Sequence, residues 1–128
     1  MKTISAGLMV IVGCTIFTAC NQTTAQSVNQ TKMEKKILFV VTSHDQKGDT
    51  EVKTGYYLSE VSHPWEILHS AGYEIDFVSP KGGKAPVDGF NMDDPVNKKF
   101  WNDKVYRNKV ENTLKPSEVN PKDYIAIH

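Results

Sequence analysis

Lys35-Lys36-Ile37-Leu38-Phe39-Val40-Val41 decides the fold: five consecutive apolar residues, β-branched or aromatic at four positions, follow a basic pair. A continuous run of this kind reads as a strand buried on both faces, as strands of parallel sheets are. The polar stretch Thr42 to Thr54 after it reads as a surface loop. Val61, Trp65 and Leu68 then recur at helical spacing, which predicts a helix from about His63 to Ala71, with Ser62 as N-cap, Pro64 in the first turn and Gly72 as the stop. Tyr73, Ile75 and Phe77 alternate with Glu74 and Asp76, and Val78 extends this second strand towards Pro80. Strand, helix and strand form a βαβ unit, whose ligands bind beyond the carboxyl ends of the strands.

Further along, Lys81-Gly82-Gly83-Lys84 lacks both phosphate-binding spacings and reads as a turn. Asp94-Pro95 has the cap and first-turn chemistry of a short helix, and Asn102 to Leu114 predicts another with Val105, Tyr106, Val110 and Leu114 on one side, ended by Pro116. Asp123 to His128 reads as a third buried strand. Three parallel strands with helices for one face would leave the other face bare, so the expectation is the N-terminal part of a longer α/β domain. Such a piece would expose a strand edge and an apolar face, and so would associate or be degraded.

The 128 residues hold 15 Lys and Arg against 15 Asp and Glu, with no basic run, which argues against a nucleic-acid-binding domain. Lys2 precedes Ala6 to Ala19, an uncharged run shorter than the roughly 20 residues of a membrane span, and polar sequence follows. This is the layout of a bacterial export signal. Phe17-Thr18-Ala19-Cys20 resembles a lipoprotein signal box, making Cys20 the expected lipid attachment point of an exported, membrane-anchored protein. Cleavage near Thr23-Thr24-Ala25 would instead release a secreted or periplasmic protein, and a start at Met33 would keep it in the cytoplasm. The expected organisation is a signal at 1–20, a polar linker at 21–34 and the α/β domain at 35–128. Both cysteines, Cys14 and Cys20, fall within the signal, so the domain itself has no thiol.

Two groups of side chains invite chemistry. His44, His63, His69 and His128 suggest a metal, but the six-residue step from His63 to His69 does not place two imidazoles on one helical face, and no metal site is expected. Glu60 lies in Tyr56-Tyr57-Leu58-Ser59-Glu60-Val61, at the start of the first helix. It is either a carboxylate favoured by the helix N-terminus or one partly desolvated among aromatics, able to accept and return a proton.

Lys36 to Ser43, then Lys53-Thr54-Gly55 with Glu60-x-x-His63-Pro64, then Ala71 to Pro80 resemble, in that order, the ThiJ/PfpI superfamily of class I glutamine amidotransferase-like proteins. The likeness is strongest to the branch of heat-shock chaperones that act as glutathione-independent glyoxalases, and it runs from about Lys35 to His128. The resemblance implies a flavodoxin-like parallel sheet with helices on both faces, incomplete in this chain. It implies a small 2-oxoaldehyde substrate such as methylglyoxal, lactate as product, no cofactor and a possible homodimer. Glu60 matches the family's catalytic glutamate. Its cysteine partner, on a sharp strand-to-helix turn, is expected beyond His128, after a Gly-Gly-His-Gly-like loop, which would leave the 128 residues alone inactive. Amidase, peptidase or protein deglycase activity on the same fold, or a non-enzymatic chaperone, remain alternatives.

Overall fold

The computed structural model describes residues 35–128. The expected signal at 1–20, the linker at 21–34 and Cys20 lie outside the described residues. The apolar run forms β1, Lys36–Val40, at the centre of a three-stranded parallel sheet. On one side it pairs with β3, Glu74–Val78, in unbroken register from Lys36 opposite Glu74 to Val40 opposite Val78. On the other it pairs with β5, Tyr124–Ile127, with an irregularity after Lys36. The three expected strands and their parallel pairing are therefore present.

Alternate residues of β1 and β3, with Val41 just beyond, carry the core. Ile37, Phe39, Val41, Ile75 and Phe77 join one cluster with Leu58, Val61 and Trp65 of α1 (Leu58–Ser70), Phe100 of α2 (Pro95–Asn102), and Tyr106 and Val110 of α3 (Lys104–Glu111). The aromatic rings meet edge to face: Phe39 with Phe77 at 5.5 Å, Trp65 with Phe100 at 5.2 Å and Trp65 with Tyr106 at 5.4 Å. Of the two helical layers expected, the described residues show the one on this face. On the other face Val40 is 56% exposed, and the expectation of burial for β5 is corrected: it forms an edge of the three-stranded sheet, with Ile125 and Ile127 57% and 71% exposed.

The first helix departs from expectation at its start. It begins at Leu58, with Tyr57 in the N-cap position and no side-chain cap, so Pro64 lies well inside it. Ser62, the expected N-cap, is fully buried in the helix and its hydroxyl donates to Asn97 Oδ1. Burial of Leu58 and Val61 draws an extra turn into the helix, a tertiary gain that outweighs the local capping signal. Gly72, at φ +86°, ends the helix as expected.

The stretch Asn102 to Leu114 is shorter in helical form than its spacing predicts. The Asp103 carboxylate caps α3 by accepting from the Val105 and Tyr106 N–H groups, and the helix ends at Glu111. Tyr106 and Val110 are buried, whereas Val105 is exposed. Leu114 has left the helix to bridge Val78 at the end of the sheet. Gly82 and Gly83, both with positive φ, make the expected turn.

Two short strands that the sequence pattern did not indicate, β2 (Tyr56–Tyr57) and β4 (Val87–Asp88), pair in parallel beside the start of α1. Their approach depends on Gly55, where a Cβ would lie 2.2 Å from the Pro86 carbonyl oxygen.

Candidate active site

At the carboxyl ends of β1 and β5, an open cavity of about 600 Å³ is lined by Tyr57, Ser59, Glu60, His63, Pro64 and His128. This is the end of a parallel sheet at which ligands bind. His128 is held by the sheet: its N–H donates to the Leu38 carbonyl at 2.9 Å, and its own carbonyl accepts from Val40 at 2.9 Å. Its ring rests against Phe39 at 4.5 Å. His128 Nε2 lies 3.4 Å from the Glu60 carbonyl oxygen, a long contact. Pro64 explains why that oxygen is open to approach, because four residues on it has no N–H to offer.

Glu60 occupies the first turn of α1, where the helix dipole favours a carboxylate. Of the two readings of this carboxylate, partial desolvation among aromatics is corrected: Glu60 is exposed, and among the described residues its carboxylate has no hydrogen-bond or ion-pair partner. Helical spacing supplies the reason. Leu58 and Val61 take the buried positions of this turn, which leaves Glu60 on the open side, and Tyr57 is itself half exposed.

His63 Nε2 meets Asp94 Oδ2 at 2.9 Å. The other Asp94 oxygen accepts from the Val96 and Asn97 N–H groups at 2.8 and 3.1 Å and so caps α2. The hydrogen bond with His63, joined by those backbone donors, holds the Asp94 carboxyl below its ordinary value. Asn97 is fully buried between the helices. Its Nδ2 donates to Ser59 Oγ at 3.2 Å and to the Asn91 carbonyl at 2.9 Å, while its Oδ1 accepts from Ser62.

The four histidines are dispersed in their partners. His63 pairs with Asp94, His69 Nδ1 lies 3.1 Å from the Tyr106 hydroxyl, His128 packs on Phe39, and His44 follows β1 in the loop. Among the described residues no group of three or more His, Cys, Asp or Glu could hold a metal ion.

No family model matches the chain. It is 30% identical over 100 residues to the glutathione-independent glyoxalase HSP31 of Saccharomyces cerevisiae, which covers 70% of this chain and 40% of that protein. The crystal structure of Rapid Encystment Protein 24 KDa of Francisella tularensis superposes with a TM-score of 0.67 at 39% identity, over 73% of this chain and 42% of that one. These likenesses support the expected kinship with the ThiJ/PfpI superfamily. Glyoxalase III of Candida albicans, at 23% identity and a TM-score of 0.58, covers 74% of this chain and 42% of its own and bears on the fold alone. That fold is the expected flavodoxin-like α/β arrangement. The chain spans about two fifths of the length of each of these ThiJ/PfpI-related proteins.

The described residues bring His128 to the same cavity as Glu60 and His63, which lie on one helix far earlier in the chain. They contain no cysteine to act beside them. Sequence reasoning singled out Glu60 but missed Asn97, and it saw Asp94 only as a cap. The Asp94-Pro95 signal was local, and nothing in it points to His63 thirty-one residues earlier.

Proposed function

We propose that the whole protein acts as a glutathione-independent glyoxalase, converting 2-oxoaldehydes such as methylglyoxal to 2-hydroxy acids such as lactate, with Glu60 as general acid and base. The observation that carries this reading is the placement of Glu60 at an open cavity on the carboxyl ends of β1 and β5. The kinship with a protein named a glutathione-independent glyoxalase supports it.

The chemistry suits a lone carboxylate. A thiolate, from a cysteine outside residues 35–128, adds to the aldehyde carbon to give a hemithioacetal. Glu60 removes the proton from that carbon and returns one to the adjacent carbon, so the first is oxidised as the second is reduced and a thioester results. Water then releases the hydroxy acid and restores the thiol. The redox change is internal, so the step calls for no external oxidant or reductant. Because Glu60 is exposed, the reading requires the segment bearing the thiol to close over it and exclude water.

Side-by-side assay of the whole protein on methylglyoxal and on amide or peptide substrates tests the substrate class. Lactate formation without added glutathione is expected; turnover of amides with none of methylglyoxal would overturn it. We further propose that Cys20 is the lipid attachment site of an exported, membrane-anchored protein. Mass spectrometry of the mature N-terminus is expected to find a diacylated Cys20, and an unmodified N-terminus at any other residue would refute that.

A further inference from the structure

The turn of α1 that carries Glu60 lacks two usual supports of a helix start. Tyr57 provides no side-chain cap, and Pro64 removes the backbone bond that the Glu60 carbonyl would have accepted. Three contacts from the first turn of α2 stand in their place. Asn97 Nδ2 donates to Ser59 Oγ at 3.2 Å, Ser62 donates to Asn97 Oδ1, and His63 meets Asp94 at 2.9 Å. Ser59, Ser62 and His63 share one face of α1 by their i, i+3, i+4 spacing, and they flank Glu60 on both sides. Asn97 is the hub of this set. It is fully buried, and both its amide protons and its oxygen are engaged, the third bond running to the Asn91 carbonyl at 2.9 Å. A satisfied buried amide of this kind admits one arrangement of the helices around it.

We infer that Asn97 is a positioning residue for Glu60: by tying Ser59 and Ser62 to α2, it fixes the rotation of the first turn of α1 and hence the direction in which the Glu60 carboxylate leaves the helix. The inference rests on the assignment of Glu60 as acid and base. It gives the helical stretch 95–111 a task in the reaction, since a carboxylate that must lie within about 3 Å of the proton it moves is sensitive to small rotations of its helix. Displacement by 1 Å can cost as much as about 100-fold in rate.

The test compares Asn97→Leu, Ser59→Ala, Ser59→Thr and Glu60→Gln in the whole protein, with methylglyoxal as substrate. Ser59→Ala is expected to lower kcat about 3- to 10-fold and Asn97→Leu about 30- to 100-fold, with KM changed less than about twofold. Ser59→Thr, which keeps the hydroxyl, restores turnover. In the Glu60→Gln background Ser59→Ala has no further effect on the residual rate, because it acts only through the carboxylate. Wild-type turnover in Glu60→Gln would defeat the assignment of Glu60 itself. An inactive Glu60→Gln together with wild-type kcat in folded Ser59→Ala and Asn97→Leu would defeat the role of Asn97 alone. If Asn97→Leu does not fold, the Ser59 and Glu60 cycle decides: equal losses in both backgrounds overturn the inference.

Discussion

His63 and Asp94, thirty-one residues apart, meet at 2.9 Å across the junction of α1 and α2. One carboxylate thus holds an imidazole at the cavity and caps the next helix with its second oxygen. Asp94→Ala removes both functions. The expected result is a lower urea midpoint with an unchanged slope, read by circular dichroism.

The same pair sets an acid limit. The folded-state value of Asp94 is depressed below its ordinary 3.8. Its contribution to stability is complete above that pH and is lost as pH falls towards the depressed value. The stability difference between wild type and Asp94→Asn is therefore expected to shrink as pH falls below 3.8, as measured by urea unfolding.

Lys109 fastens α3 to the outer edge of β3. Its Nζ lies 2.9 Å from Glu74 Oε1, 2.8 Å from Asp76 Oδ1 and 2.9 Å from the Ile75 carbonyl. Burial opposes the charges, yet the attraction and hydrogen bonds between Lys109 and its carboxylates outweigh it, raising the ammonium value and lowering that of Asp76. Lys109→Met leaves the two carboxylates with Lys36, at 3.6 Å from each. The expected loss is about 1–3 kcal/mol, less than for a fully buried pair because the Lys109 side chain keeps 24% of its surface.

Phe100, with no exposed surface, touches both Trp65 and Phe77 and joins α2 to α1 and the sheet. Phe100→Ala is expected to cost about 3–5 kcal/mol in chemical denaturation, the range for emptying an aromatic site in a packed core.

What the sequence disclosed followed from how local each signal was. β1 was legible because a continuous apolar run needs no partner to be recognised, and β3 because Ile75 and Phe77 alternate with charges. The start of α1 was misplaced because Ser62 and Pro64 mimic an N-terminus, while the burial of Leu58 depends on residues far away. β2 and β4 are two-residue pairings made by the close approach of Gly55 to Pro86, which no periodicity records. In the site, Glu60 stood out as the one carboxylate in the largely apolar and aromatic stretch Tyr56 to Val61, and by its match to the glutamate of the family the chain resembles. Asn97 did not, since its hydroxyl partners Ser59 and Ser62 lie thirty-eight and thirty-five residues before it.

The Glu60 carboxylate moves the proton in the proposed reaction, and the sharpest test of that role is the rate of lactate formation from methylglyoxal by the whole protein, wild type against Glu60→Gln. Loss of a positioned acid–base group should lower kcat by about 10²- to 10⁴-fold. The urea midpoint should fall only slightly, reflecting the roughly 0.3–1 kcal/mol that a first-turn carboxylate gains from the helix dipole, since the side chain is exposed and has no partner among the described residues. A folded Glu60→Gln protein that produced lactate at the wild-type rate would contradict the account.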